Sequence, residues 1–214
     1  MNLRIEPLTE QTKGLWDALC LRSPESWFLH TSRWLDYSLA YRPELESQSL
    51  SFFVYDGQEP VAICPLMVEA LTINGKKLKM FSYGGGWAPA PAVCRAKMNF
   101  KNRGNVLNFI FDQILEMAEK YQIAKASYRL NPFVLADGGD ANRSNWLSNF
   151  GFIPYMRTTQ IIDTSNPPEE MHRDMRKGHR SDIKRAEGGG LSCHVFYGHE
   201  CSQEIFNLSL LLCF

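Results

Sequence analysis

The strongest constraint on the fold of this chain is the dipeptide Asn74-Gly75, which lies between two short apolar segments. Asn-Gly is a preferred two-residue loop of β-hairpins because both residues tolerate the positive φ angles of a type I′ turn. The flanking segments Leu71 to Ile73 and Leu78 to Phe81 are therefore predicted to be antiparallel strands. Upstream, Leu50 to Tyr55 and Val61 to Val68 surround a polar turn and predict two further strands. This part of the chain is predicted to form an antiparallel meander.

Helical periodicity surrounds the meander on both sides. Thr9 to Leu21 and the segment from Ser32 to Tyr41 precede it, and Lys101 to Tyr121 follows it. The last of these has the clearest apolar face, formed by Val106, Leu107, Ile110, Phe111, Ile114, Leu115, Ala118 and Tyr121. Short strands are predicted at Leu3 to Pro7 and Ala124 to Leu130. This order of elements indicates an α/β fold with a mixed, mainly antiparallel sheet flanked by helices.

The pattern changes in the last quarter of the chain. A short helix at Trp146 to Phe150 and a strand at Phe152 to Ile162 complete the first pattern. A helix at Met171 to Glu187, a strand at Leu191 to Tyr197 and an apolar segment at Gln203 to Phe214 then resemble the opening of a second unit. The last segment ends without a cap or a polar tail, so an incomplete second unit is expected.

The predicted helix from Met171 to Glu187 is strongly basic. If it is continuous, steps of about 100° per residue bring five cations into one sector. These cations are Arg173, Arg176, Lys177, Arg180 and Lys184. Three glycines from residue 188 onward are expected to end the helix. Two interpretations stay open: the cations form a solvated face, or they donate to phosphate oxygens of a nucleotide-linked substrate or an RNA backbone.

A second candidate site is the segment Phe81 to Pro91, FSYGGGWAPAP. Gly84, Gly85 and Gly86 would allow a backbone to approach a ligand closely, with Tyr83 and the tryptophan that follows the glycines as walls. A simple turn is the alternative. The segment lacks the glycine spacing of a dinucleotide-binding loop and the Lys-Ser/Thr of a phosphate-binding Walker loop.

Composition narrows the classes of function. The chain has 23 basic and 23 acidic residues, so attraction to nucleic acid must come from local clusters. No apolar run reaches the length of about 20 residues that a membrane span needs, and a cytoplasmic protein is expected. No bound cofactor is expected either. Six scattered cysteines suit reduced thiols. Cys193, His194, His199 and Cys201 suggest a zinc site only weakly, because adjacent strand residues point to opposite faces, so no metal is predicted.

The segments RKGHRSDIKRAEGGGLSCHV and GFIPYMRTTQIIDTS resemble the Fem family of aminoacyltransferases, which build peptidoglycan cross-bridges. HTSRWLDYSLAY and FSYGGGWAPAPAV look like earlier segments of the same family. The resemblance runs through nearly the whole chain and extends to the wider set of acyltransferases with an acetyltransferase-like (GNAT) fold. It implies a first such domain at residues 1–160 and the beginning of a second, incomplete one at 161–214.

The resemblance also implies a function: transfer of an acyl or aminoacyl group to an amine of a peptidoglycan or polysaccharide precursor. The precursor would be linked to a nucleotide or a lipid, and the donor would be aminoacyl-tRNA or acyl-coenzyme A. The predicted substrate-binding residues are Trp34, Tyr83, Gly84, Gly85, Gly86, Lys177, Arg180, Lys184 and Arg185. No Ser/His/Asp order or nucleophile elbow occurs, so no catalytic residue is assigned.

Two other hypotheses remain beside the transferase. The first is a non-catalytic module that binds a nucleotide or RNA through the basic helix at residues 171–187. In the transferase hypothesis, tRNA is the expected nucleic-acid partner. Its affinity would fall steeply with salt. The second is a truncated, inactive product that self-associates through the incomplete second domain.

Overall fold

The computed structural model describes residues 1–73, 75–95, 98–131, 145–155 and 164–192. The chain divides into two compact units, Met1–Arg157 and Thr158–Phe214. The first unit is α/β, with antiparallel and mixed sheets flanked by helices, and this confirms the predicted fold class. Within the described residues the second unit contributes two helices.

Ten short strands build the sheets in the part of the first unit that the structure describes. They are β1 (Leu3–Pro7), β2 (Gln48–Ser49), β3 (Phe52–Asp56), β4 (Glu59–Cys64), β5 (Met67–Ile73), β6 (Lys76–Phe81), β7 (Ala88–Pro89), β8 (Ala92–Val93), β9 (Ile123–Ala126) and β10 (Tyr128–Arg129). One four-stranded sheet has the order β1-β3-β4-β8 and a second has the order β2-β5-β6-β9. Strands β7 and β10 form a two-stranded parallel sheet, and β6 pairs with β9 in parallel. The other pairs are antiparallel.

The two hairpins of the predicted meander are confirmed, because β3 pairs with β4 and β5 pairs with β6. The prediction of one continuous meander is wrong, because the two hairpins lie in different sheets. Ile73 pairs with Lys76, so the loop between β5 and β6 has two residues, as the sequence predicts. Pro65 and Leu66 separate β4 from β5, because a proline nitrogen cannot donate to a sheet ladder. The chain passes from one sheet to the other at this point.

Among the described residues, the α-helices that pack against the sheets are α1 (Lys13–Arg22), α2 (Ser32–Tyr41) and α3 (Phe100–Tyr121). The prediction of α3 is confirmed, and most of its apolar face lies in the main core. Leu115 is an exception, because it is 62% exposed. Thr31 caps α2 by accepting a hydrogen bond from the Trp34 amide.

The segment after α3 differs in part from the prediction. Residues Trp146–Phe150 form a 3₁₀ helix, and Gly151 ends it with a φ of 79°, as expected for a left-handed cap. The strand predicted at Phe152 to Ile162 is wrong for residues 152–155, which belong to no strand. The remainder of that segment lies outside the described residues.

The second unit contains α4 (Pro168–Asp174) and α5 (Lys177–Gly188). The prediction of one continuous helix is therefore wrong. Met175 and Arg176 have extended ψ angles of 146° and 144°, which reset the helical phase between Arg173 and Lys177. Gly189 ends α5 as predicted. The strand predicted at residues 191–197 is absent at 191–192, and the rest of it and the segment 203–214 lie outside the described residues.

Candidate functional site

A buried carboxylate organises the glycine loop of the first unit. Glu69 is 1% exposed and lies beneath the turn that follows β6. Its Oε1 accepts a hydrogen bond from the Gly84 amide at 2.6 Å, and its Oε2 accepts one from the Gly85 amide at 2.8 Å. The hydroxyls of Ser82 and Ser47 also donate to this carboxylate. Four donors thus compensate a charge that would otherwise be costly to bury.

The glycines are needed for this arrangement. Gly84 and Gly85 have φ angles of 60° and 81°, in the left-handed region that other residues adopt only with strain. A Cβ on Gly85 would also lie 3.2 Å from Arg42 Nη1. Two of the amides predicted to approach a ligand therefore point to Glu69. A ligand contact by Gly84, Gly85 and Gly86 remains a prediction. Such a contact would be made by the outer surface of the loop, away from Glu69.

The structure brings Trp34 and Tyr83 together beside this loop. Tyr83 is buried with Leu35, Met67 and Ala88, and Trp34 packs against this cluster from the surface. Burial raises the pKa of the Tyr83 hydroxyl far above its usual range. This hydroxyl makes no hydrogen bond within the part of the chain that the structure describes. Tyr83 is therefore an interior residue here, and Trp34 is the member of the pair that can reach a ligand.

Sequence reasoning missed the residues that hold this region in place. Arg42 donates to the Gly84 carbonyl at 3.3 Å and forms an ion pair with Glu44 at 2.9 Å. The guanidinium of Arg129 lies 4.5 Å from the centre of the Trp87 ring. Glu69 could have been suspected from sequence, because it interrupts the apolar strand that precedes Asn74-Gly75.

The titratable groups of the first unit's core are structural. His30 is 2% exposed, and its Nε2–H donates to the Ala90 carbonyl at 2.8 Å while Nδ1 accepts from the Trp27 amide at 3.2 Å. Desolvation lowers its pKa to about 4, so it is neutral at pH 7. Burial likewise raises the pKa values of the thiols of Cys20 and Cys94, each to about 12. These thiols are therefore unsuited to nucleophilic catalysis.

A groove in the second unit contains three of the predicted phosphate-binding residues. It has a volume of about 510 Å³. Its lining consists of His172, Lys177, Arg180, Ser181, Ile183, Lys184 and Glu187. Lys177, Arg180 and Lys184 are spaced three and four residues apart, which places them on one face of α5. Arg185, the fourth predicted cation, is absent from this lining and lies 3.7 Å from Asp182.

The three cations of the groove have different roles. Arg180 Nη1 donates to the carbonyls of Arg173 and Met175 at 2.5 and 2.6 Å, so it binds the C-terminal end of α4. Lys177 and Lys184 form no ion pair with any described residue. These two ammonium groups are therefore the ones available to an anion. The three cations and Glu187 give the groove an excess of two positive charges.

The chemistry that these residues offer is binding rather than bond cleavage. Lysine ammonium groups and the Ser181 hydroxyl can donate to phosphate or carboxylate oxygens. No group of three or more His, Cys, Asp and Glu side chains suited to a metal ion occurs among the described residues. No helix in the described ranges is long and apolar enough to cross a membrane. Comparison with protein-family models, curated proteins and solved structures finds no match.

Proposed function

We propose that the chain belongs to an acyl- or aminoacyltransferase that acts on an amine of a nucleotide- or lipid-linked cell-envelope precursor. The groove of the second unit holds the precursor's phosphate. The observation that carries the proposal is the convergence of Lys177, Arg180 and Lys184 on one concave surface with the Ser181 hydroxyl. Two of these cations are free of ion pairs with described residues.

The reaction places simple demands on the protein. The amine nitrogen bonds to the carbonyl carbon of an ester or thioester, the alcohol or thiol leaves, and the amine proton passes to the leaving group. Fixing both substrates in a reactive geometry supplies a large part of such a rate enhancement. We assign phosphate binding and substrate placement to this chain, with aminoacyl-tRNA and acyl-coenzyme A as alternative donors. Both units are proposed to be acetyltransferase-like.

The phosphate role is tested by titrating the full chain with a uridine diphosphate-linked N-acetylhexosamine in a calorimeter at low salt. Lys177→Gln with Lys184→Gln removes the two free cations and keeps the length and polarity of the side chains. We expect binding to weaken at least tenfold, because charge-assisted hydrogen bonds contribute about 1.5–3 kcal/mol each. Arg180 is left intact because of its contacts with α4.

Arg185→Gln is the matched control, since it removes a cation of the same helix outside the groove. Its affinity should stay within about twofold of the unaltered chain, because isolated surface charges contribute little. Equal affinities of the unaltered chain, the double variant and Arg185→Gln would show that the cations of the basic helix form a solvated face. A transfer assay with radiolabelled acyl-coenzyme A or aminoacyl-tRNA then tests the reaction itself.

The second candidate function is a module that binds RNA or a nucleotide without catalysis. It is favoured by the fact that every residue lining the groove comes from α4 or α5, so binding needs no other element. A single-stranded RNA would then bind with a steep dependence on salt, about one unit of log-log slope for each phosphate contacted. Tight RNA binding without transfer from either donor would favour this function.

A further inference from the structure

Four aromatic rings form a continuous row along the surface of α2, and we name Phe28, Trp34, Tyr37 and Tyr41 the aromatic row. Its ring centres are separated by 5.3 Å, 5.1 Å and 5.2 Å in that order. The last two pairs are close to parallel, with interplanar angles of 33° and 29°. Spacings of three and four residues place the α2 members on one side of the helix.

The aromatic row is open to solvent. Phe28 is 60% exposed, Tyr37 is 46% exposed and Tyr41 is 43% exposed, although buried aromatic rings are strongly favoured. The interior face of α2 is instead formed by Ser32, Leu35 and Ser38. Phe28, Tyr37 and Tyr41 therefore contribute little to the packing of this helix, and Trp34 is the member of the row that packs against the core. The size and continuity of the rings indicate a contact surface.

One end of the aromatic row meets the glycine loop. The position of a Cβ on Gly84 lies 3.6 Å from the Tyr41 ring, so the loop backbone and this ring are in contact range. Trp34, at the other end of α2, packs against the cluster that contains Tyr83. A ligand lying on the rings would thus reach the outer surface of the loop.

The charges around the aromatic row are largely neutralised. Asp36 is paired with Lys13 at 2.7 Å, and Arg42 is paired with Glu44 at 2.9 Å. Of the charged residues on α2 itself, this leaves Arg33 without an ion pair to a described residue. Surfaces that stack single-stranded nucleic acid combine aromatic rings with several cations along the backbone. The aromatic row has the rings without the cations, so an uncharged ligand fits it better.

The exposed area also limits what can bind. Phe28, Tyr37 and Tyr41 together expose roughly 300 Å², if each ring has about 200 Å² to bury. A stable protein partner needs about 800 Å² on each side. An aliphatic chain prefers an enclosed apolar groove, and these rings lie on an open helix surface. The row is thus the size of a small or linear ligand with flat faces.

We propose that the aromatic row is a binding site for an uncharged saccharide. The C–H groups on the face of a pyranose ring pack on Phe28, the most exposed ring of the three, and on the exposed ring edges of Tyr37 and Tyr41, whose hydroxyls donate to sugar oxygens. Successive sugar rings follow the row toward the glycine loop. This inference stands on the first unit alone and does not depend on the proposed transfer reaction or on the groove of the second unit.

The test is a calorimetric titration of the full chain with a tetramer of β-1,4-linked N-acetylglucosamine. Tyr37→Ala and Phe28→Ala should each weaken binding about fivefold, because each removes an aromatic ring that packs against the ligand. Tyr37→Phe keeps the ring and should lose much less. Affinity should be the same at low and high salt, because the ligand is uncharged.

Phe100→Ala is the control, since Phe100 is 91% exposed at the start of α3 and lies outside the row. Saccharide binding that persists unchanged in Tyr37→Ala and Phe28→Ala overturns the proposal. So does the absence of binding at about 10 mM saccharide, a concentration that reveals even very weak sites. If sedimentation shows a dimer that Tyr37→Ala dissociates, the aromatic row is a self-association surface and the saccharide proposal is overturned. If the chain binds a thymidine homopolymer and Tyr37→Ala abolishes that binding, the row stacks nucleic-acid bases instead.

Discussion

The buried histidine makes the stability of the first unit depend on pH. In the folded state, protonating His30 at Nδ1 removes the acceptor of the Trp27 amide and places a charge in a site that is 2% exposed. The pKa of His30 is accordingly about 4 when folded and about 6.5 when unfolded. Between these values the unfolded chain binds more protons, so the free energy of unfolding rises with pH. The stabilisation is complete above pH 6.5 and is lost as pH falls to 4.

The magnitude follows from this difference of 2.5 pH units. At about 1.4 kcal/mol per unit, the full effect is about 3 kcal/mol. Between pH 7.5 and pH 5, about 2 kcal/mol of it is lost. With a urea m-value near 2 kcal/mol/M, the midpoint of unfolding should move down by about 1 M. All five tryptophans lie within residues 16–146, so their fluorescence reports on the first unit.

His30→Gln provides the comparison, because glutamine can still donate to the Ala90 carbonyl but does not titrate. The variant should be less stable than the unaltered chain at pH 7.5, and its midpoint should change much less between pH 7.5 and pH 5. His179→Gln replaces an exposed histidine of α5 and should leave the pH dependence unchanged. An equal decline in the His30→Gln and unaltered proteins would refute the reasoning.

Two further predictions concern the region of the glycine loop. Glu69→Gln should lower the free energy of unfolding by about 2 kcal/mol in urea titrations, because the new NH₂ group must face one of the two amide donors. Hydrogen exchange at the amides of Gly84 and Gly85 should become faster in this variant. An unchanged midpoint of unfolding would contradict the role of the carboxylate. Tyr83→Phe should be neutral or stabilising by up to about 1 kcal/mol, since the hydroxyl is buried without a partner among the described residues; a loss above about 1 kcal/mol would show that the hydroxyl is satisfied.

The predictions from sequence succeeded where the sequence pattern is either long and periodic or confined to a short turn. The 22-residue helix α3 has a persistent apolar face, and the hairpin between β5 and β6 depends on one dipeptide. The break between α4 and α5 could not be predicted in this way, because neither Met175 nor Arg176 disfavours a helix strongly. It coincides with the hydrogen bonds of Arg180 to backbone carbonyls five and seven residues earlier, a contact that helical periodicity does not encode.

The candidate sites were predictable to different degrees. Lys177, Arg180 and Lys184 were identified by their spacing, which survives the helix break because all three lie on α5. The glycine loop was identified by its composition, but the direction of its amides depends on Glu69, which is 15 residues away along the chain from Gly84. Of the aromatic row, the sequence indicated only Trp34 as a site residue, and Phe28 joins the row only through the 3₁₀ turn that precedes α2.

The two four-stranded sheets have a consequence for how the first unit comes apart. Strands β4 and β5 are one stretch of chain interrupted by two residues, and β2 and β3 are likewise separated by two residues. Each stretch contributes one strand to either sheet. Pulling one sheet open therefore disturbs the ends of the strands that hold the other. We expect both sheets to behave as a single foldon, with the slowest-exchanging amides of Phe53 and Val68 sharing one opening free energy in native-state hydrogen exchange.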